Sequence, residues 1–259
     1  MNITVMVDME GISGICRPSQ VMSDGAHYKV ACRYMAWDVN ACVAGCIEGG
    51  ALRILVRDAH GSGFNMPWEE LDPRAEYVFG TSRRERIPGL DSCDGLILLG
   101  YHAMAGTPWA VLEHTMSSRH WQNFWLNGRK AGEVAIDSAQ AAEHGVPTIM
   151  VSGDDKLCRE ARRLLPGVVA VQVKRGLDVE GAVMLPKELA HQRIREGAAR
   201  AVRAAPKMKP IKVRHPVTLR LELIERGSVP LPARSGARVI DGRTYEVTGR
   251  TVAEALQRL

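Results

Sequence analysis

The stretch Ile3-Thr4-Val5-Met6-Val7-Asp8-Met9-Glu10-Gly11 lies at the start of the chain and decides how the rest is read. Its first five residues form a nearly continuous apolar run, the pattern of a strand buried on both faces. Side chains two apart along a strand point the same way, so Asp8 and Glu10 project together where the strand ends. Two adjacent carboxylates repel, and unless a cation neutralises them one is raised in pKa and holds a proton. Hard oxygen donors at the carboxyl end of a buried strand, followed by a glycine that permits close approach, suit a divalent metal site in an open α/β sheet. A solvated strand end is the alternative, and the D-x-E pattern alone does not exclude it.

The 259 residues suffice for one α/β domain, or one large and one small. Hydrophobic residues make up 46% and charged residues 24%, which is globular rather than disordered composition. No stretch approaches the length of a membrane span, and Met1 leads straight into a strand pattern without a secretory signal, so a cytoplasmic protein is expected. The six cysteines, Cys16, Cys32, Cys42, Cys46, Cys93 and Cys158, form no C-x-x-C and read as reduced, packed thiols. Cys42 and Cys46, one helical turn apart, suit packing on one helix face better than metal binding. A net charge of +5 raises the question of nucleic acid. The arginines are dispersed instead, at Arg83, Arg84 and Arg86, at Arg159, Arg162 and Arg163, and from Arg193 to Arg203, with aromatics at only 5%. Solvated helix faces account for them, and no nucleic-acid partner is expected.

Apolar runs recur at Leu52 to Val56, Leu96 to Leu99, Thr148 to Val151 and Val168 to Val173. Helical periodicity fills Tyr28 to Ile47, Glu133 to His144, a segment from Asp154 as N-cap through Leu165, and Lys187 to Ala204. His27 is placed to cap the first of these helices. Alternating strand and helix predicts an α/β fold with a largely parallel sheet covered by helices on both faces. His120 to Leu126, turning at Asn127-Gly128, reads as a hairpin arm near that sheet's edge. Beyond a Lys/Pro linker at Pro206 to Pro210 the pattern turns β-rich: Val217 to Leu223 alternates, Arg238 to Val247 turns at Asp241-Gly242, and Thr251 to Glu254 is a capping box. The expected organisation is residues 1–205 as an α/β metallohydrolase domain and 206–259 as a small β-rich appendage.

Two further strands end like the first. Val56-Arg57-Asp58-Ala59-His60-Gly61 sets out Asp58 and His60, and Leu98-Leu99-Gly100-Tyr101-His102 sets out His102. In a parallel sheet all carboxyl ends lie along one edge, so Asp8, Glu10, His60 and His102 converge although distant in sequence. Glu133, in the first turn of a helix after Gly132, supplies one more oxygen. With Asp8 bridging, these five side chains give two adjacent cations three protein ligands each. Oxygen and imidazole donors without thiolate suit Zn²⁺ best, with Mn²⁺ or Co²⁺ as alternatives. Such a pair acidifies water and clamps a carbonyl oxygen, which is hydrolytic chemistry. Asp58 is placed either to orient the His60 ring or to face solvent. His120, His144, His191 and His215 receive no chemistry, and Trp109, Trp121 and Trp125 read as packing or as a channel lining.

Val7-Asp8-Met9-Glu10-Gly11, Asp58-Ala-His60, Gly100-Tyr101-His102-Ala103 with Gly106-Thr107-Pro108, Gly132-Glu133 and Val151-Ser-Gly153-Asp154-Asp155 resemble, in order and spacing, the zinc-dependent D-aminopeptidases of peptidase family M55. The resemblance runs from residue 1 to about residue 175 and continues weakly beyond. It implies a binuclear zinc aminopeptidase with ligands Asp8, Glu10, His60, His102 and Glu133 and a catalytic histidine at His114. It also implies a ring-shaped homodecamer acting on short peptides with N-terminal D-residues, notably D-Ala. The sequence departs from the family pattern at Trp109, one residue more between His102 and His114, and at Gly61-Ser62-Gly63. Competing readings are a metal-dependent amidohydrolase acting on L-peptides or N-acyl amines and, as a non-enzyme, an oligomeric scaffold or basic nucleic-acid binder. A nucleotide-binding oxidoreductase fits poorly, because no G-x-G-x-x-G follows the first strand and Glu10 repels a pyrophosphate.

Overall fold

The apolar runs are strands in the computed structural model, which describes residues 1–81, 85–230 and 236–259. Arg83 and Arg84 lie outside the described residues. In chain order the first half holds β1 (Asn2–Val7), α1 (Pro18–Val21), α2 (Tyr28–Gly49), β2 (Arg53–Asp58), β3 (Glu76–Val78) and β4 (Gly95–Leu99). The hairpin β5 (Trp121–Leu126) and β6 (Arg129–Lys130) follows, then α3 (Glu133–Glu143), β7 (Thr148–Asp154), α4 (Asp155–Leu164), β8 (Val169–Asp178), β9 (Gly181–Met184) and α5 (Lys187–Ala204). The last segment holds β10 (Val217–Leu223), β11 (Arg238–Val239), β12 (Thr244–Gly249) and a short helix α6 (Val252–Leu256).

Seven strands form one sheet in the order β3-β2-β1-β4-β7-β8-β9, parallel throughout except for the β8–β9 hairpin. The chain winds outward from β1 to β3, then returns to β4 on the other side of β1 and continues to β8. That reversal leaves a crevice at the carboxyl ends of β1 and β4, the place where open α/β sheets bind ligands. Both sheet faces are covered. Ile3, Val5 and Val7 pack with Val39 and Val43 of α2 and Ile194 and Ala198 of α5, while Met6, Leu96 and Leu98 pack with Val134 of α3 and Leu157 and Ala161 of α4. Each fully buried aliphatic side chain contributes about 1.5–3 kcal/mol, so double coverage explains why these strands are apolar along their whole length.

The five remaining strands form an antiparallel sheet, β11-β12-β10-β5-β6. Asn127 and Gly128, both at positive φ, make the two-residue turn read from the sequence. The hairpin does not sit at the edge of the parallel sheet, however. It pairs with β10, Leu221 facing Phe124, because β10 alternates buried and half-buried residues and needs an antiparallel partner with one apolar face. Helix α3 lies between the two sheets: Val134 and Ala141 belong to one core, and Ala135, Ile136 and Ala139 to the core that holds Phe124, Leu219 and Val247. Burial on two sides holds the start of α3, and with it Glu133, in one place.

Candidate metal centre

Strand ends bring Asp8 and Glu10 (after β1), His60 (after β2) and His102 (after β4) to the crevice, and the first turn of α3 adds Glu133. Two glycines make the approach close enough. A Cβ on Gly11 would lie 1.9 Å from the Tyr101 carbonyl oxygen, and Gly100, at φ +70°, would place one 2.3 Å from the Asp8 carbonyl oxygen. With neither side chain present, the Gly11 N–H donates to the Gly100 carbonyl at 2.7 Å and ties the two loops together.

Asp8 stands between two groups of donors. Its Oδ1 lies 2.9 Å from His60 Nδ1, which is also 3.2 Å from Glu10 Oε2. Its Oδ2 lies 3.3 Å from His102 Nε2, which is 3.3 Å from Glu133 Oε1. His114 Nε2 approaches the same Glu133 oxygen at 3.8 Å, and the His114 ring stacks on His102 with centroids 4.0 Å apart. Within each set, Asp8, Glu10, His60 and His102, His114, Glu133, the potential ligand atoms all lie within 4.8 Å of one another.

All three imidazoles are oriented alike. His60 Nε2 faces the Val21 carbonyl at 2.8 Å, His102 Nδ1 the Ala103 carbonyl at 3.1 Å, and His114 Nδ1 the Leu112 carbonyl at 2.9 Å. A carbonyl accepts only from N–H, so in the neutral tautomer the other ring nitrogen turns a lone pair toward the carboxylates. Glu10 Oε2 and His102 Nε2 are buried without a hydrogen-bond partner. Leaving a buried polar atom unpaired costs about 1–3 kcal/mol, and a cation at each group removes that cost. Oxygen and imidazole donors with no thiolate fit Zn²⁺.

The electrostatics agree. Burial pushes the Asp8 carboxyl up, but the neighbouring His102 and His60 imidazoles outweigh it and hold Asp8 well below the ordinary carboxylate range. Burial likewise opposes the charged form of Glu133, and His102 overcomes it, holding Glu133 at about 2. His60 and His102 are raised well above the ordinary imidazole value: burial lowers them, and the surrounding carboxylates more than reverse this. The expected protonated carboxylate is therefore not what neutralises Asp8. Without a metal the carboxylates favour the protonated forms of His60 and His102, and a divalent cation bound there would have to displace those protons.

His114 is carried by a strained loop. Trp109, Leu112 and Met116 adopt φ of 61°, 50° and 60°, a region that costs non-glycine residues about 1–3 kcal/mol each. Among the bonds that hold it are Leu112 N–H to the Val179 carbonyl (2.9 Å), Val111 N–H to Asp154 Oδ2 (2.9 Å), Ala105 N–H to Thr115 Oγ1 (3.3 Å) and Met116 N–H to Glu133 Oε1 (2.7 Å). Asp154 thus acts twice, since its Oδ1 also caps α4 through Lys156 and Leu157 N–H. The Val151-to-Asp155 motif is support for the site, Ser152 Oγ accepting from Gly100 N–H at 2.9 Å.

Asp58 is buried, but it does not reach the His60 ring. Its carboxylate accepts from Asn65 N (2.6 Å), Asn65 Nδ2 (2.8 Å) and His60 N (3.2 Å), so it shapes the loop while the Val21 carbonyl orients the ring. His27 is the N-cap residue of α2, but its ring faces Ser19 Oγ instead of capping the helix. His144 pairs with Asp91 and His191 with Asp38, both away from this cluster.

Two supporting residues went unread in the sequence. Lys174, fully buried on β8, donates to the carbonyls of Glu10 (2.6 Å), Ile12 (2.8 Å) and Ile15 (2.6 Å), holding the loop that presents Glu10. Burial pulls its pKa down to about 8. Its signal was a lysine closing an apolar strand. Replacing it with methionine leaves three buried carbonyls unpaired, and Lys174→Met is expected to lower stability by about 3 kcal/mol or more. A denaturant midpoint within error of the parent protein would refute this assignment. Arg86 is the second: its guanidinium binds Asp137, which also accepts from Tyr101 Oη at 2.6 Å, and approaches Glu133 at 3.8 Å. Asp137 lies one helical turn beyond Glu133, and that i,i+4 spacing was the available clue.

A cleft of about 500 Å³ opens over the cluster, its wall including Asp8, Glu10, His60, Arg86, His114 and Glu133. The sequence profile of the D-aminopeptidase family, peptidase M55, matches residues 1–259. The chain belongs to this family. As a member it is a metal-dependent peptidase. A D-aminopeptidase of Bacillus subtilis (strain 168) is 34% identical over 215 residues, covering 82% of this chain and 77% of that protein. A solved structure described as a Zn-dependent D-aminopeptidase, DppA, from Bacillus subtilis, a self-compartmentalizing protease, superposes with a TM-score of 0.93 at 30% identity. The match covers 100% of this chain and 95% of that one. The α/β fold is thus shared with that D-aminopeptidase over the whole of this chain. No helix among the described residues is long and apolar enough to cross a membrane.

Proposed function

We propose that this D-aminopeptidase family member removes the N-terminal residue of short peptides, D-alanyl peptides among them, using two zinc ions that share Asp8. The observation that carries this reading is the placement of the two Asp8 oxygens, one toward His60, which also approaches Glu10, and the other toward His102, which also approaches Glu133. When bound, the ions would supply Lewis-acid polarisation of the scissile carbonyl and acidify water. Asp8 and Glu10 would neutralise part of the ions' charge and help recognise the substrate's free amine. His114, on the cleft wall and 3.8 Å from Glu133, would move a proton between the attacking water and the leaving amine. The Val21, Ala103 and Leu112 carbonyls fix the three rings, so little reorganisation accompanies reaction. A ring-shaped homodecamer in the cytoplasm, two zinc ions per subunit and Mn²⁺ or Co²⁺ as substitutes complete the proposal. The self-compartmentalizing relative supports an oligomer.

The test is hydrolysis of D-alanyl and L-alanyl dipeptides and N-acetyl-alanyl compounds by zinc-loaded protein. Release of free alanine from the D-alanyl dipeptide is expected. Turnover of the acetylated compounds alone would move the protein to the amidohydrolase reading.

A pH dependence follows from the raised imidazoles. Because His60 and His102 bind protons more tightly folded than unfolded, their protonation stabilises the metal-free protein below the ordinary histidine pKa. That contribution is lost as pH rises through the raised values. Zinc displaces the same protons, so its affinity climbs over the same interval. As pH rises from the ordinary histidine value of about 6.5 through the raised values, the melting temperature of zinc-free protein is expected to fall, while the increment given by zinc grows. An increment that shrinks with rising pH would contradict the assignment of these histidines.

A further inference from the structure

The cleft over the candidate metal ligands has two unlike parts. One part of its wall is Asp8, Glu10 and Glu133; the segment that follows His114 contributes Ser117, Ser118 and Arg119. Arg86 and Arg119 are the two arginines among the described residues that line it. They are not equivalent. Arg86 is committed to Asp137 through Nε and Nη2, and this carboxylate, itself anchored by Tyr101, cancels its charge. Arg119 is exposed, and no hydrogen bond or ion pair joins its guanidinium to another described residue.

We propose that Arg119 binds the terminal carboxylate of the peptide and makes the enzyme selective for short substrates with a free C-terminus. The inference rests on the aminopeptidase reading and adds to it the residue that measures peptide length. A dipeptide brings its N-terminal amine to the metal-ligand end of the cleft and, one residue beyond the scissile bond, a carboxylate to the arginine end. A planar guanidinium matches a carboxylate with two parallel hydrogen bonds, and the Ser117 and Ser118 hydroxyls add donors beside it. A longer peptide places its carboxylate elsewhere and meets Arg119 with a neutral amide, which leaves the cation without its partner. A cleft of about 500 Å³ is in the range that encloses a small ligand.

The experiment compares kcat/KM for D-alanyl-D-alanine and D-alanyl-D-alanine amide, with zinc-loaded wild type, Arg119→Ala and Arg119→Lys. A charge-assisted hydrogen bond corresponds to about ten- to hundredfold in affinity. Wild type is expected to prefer the acid over the amide by that factor, mostly through KM. Arg119→Ala is expected to reduce the ratio to near one, and Arg119→Lys to leave it in between. A second readout needs no turnover: calorimetric binding of the reduced-bond analogues, CH2–NH in place of the scissile amide, should show the same acid preference and the same loss in Arg119→Ala. A ratio near one in wild type, or a ratio that survives Arg119→Ala, overturns the role of Arg119 while leaving the aminopeptidase reading intact. Hydrolysis of neither peptide by wild type overturns that reading and this inference together.

Discussion

Asp8→Asn is expected to empty both metal positions at once and to lower kcat/KM by well over a hundredfold. Asp8 is the residue whose two oxygens face different groups, Oδ1 toward His60 and Oδ2 toward His102. Asparagine keeps the shape but removes the charge and replaces one oxygen with an NH2 that repels a cation. Losing only a residue that orients a ligand costs about 10- to 100-fold in metal affinity or activity, and a shared ligand affects two ions. Elemental analysis after dialysis measures the outcome. Glu10→Gln should by contrast weaken one position and spare the other, since Glu10 approaches the His60 group. Retention of full zinc content by Asp8→Asn would remove Asp8 from its bridging role.

His114→Ala is expected to lower kcat by about 10²- to 10⁴-fold, the range for loss of a general acid or base, with the zinc content unchanged. His114 Nε2 stands 3.8 Å from Glu133, farther than the 3.3 Å of His102 Nε2, and its ring lies on the cleft wall rather than in the buried interior. That difference supports the proposed division, with His102 as a metal ligand and His114 as the proton carrier. Removing the ring also exposes one face of His102, with which it stacks at 4.0 Å. Zinc content therefore has to be read beside kcat. Loss of one zinc ion in His114→Ala would make it a ligand, and near-normal kcat would remove it from the chemistry.

Much of the parallel sheet was legible because its physics is local. A strand covered on both faces must be apolar throughout, and in a parallel sheet each such run ends at the same edge. Asp8, Glu10, His60 and His102 could therefore be gathered from four sequence positions without knowing the strand order. Glu133 was harder to read, since an acidic residue in a first helical turn commonly serves only the helix dipole. What fixes it is the burial of α3 between two sheets. His114 rested on resemblance alone, as its loop has no periodicity and is held by long-range bonds such as Val111 to Asp154.

Lys174 and Arg86 were illegible for a related reason. Each acts through partners far along the chain, Lys174 on Glu10, Ile12 and Ile15 and Arg86 on Asp137. A charged residue at the end of a strand or in a loop otherwise reads as solvated. The hairpin at Asn127-Gly128 shows the same limit in the sheet: its turn is a local matter, but its pairing with β10 depends on residues about ninety positions later.

The central claim is that two cations flank Asp8. Anomalous diffraction from crystals of zinc-loaded protein, recorded on both sides of the zinc absorption edge, tests it most directly. Two peaks are expected, one among Asp8, Glu10 and His60 and the other among Asp8, His102 and Glu133. A single peak, or zinc bound away from Asp8, would contradict the account.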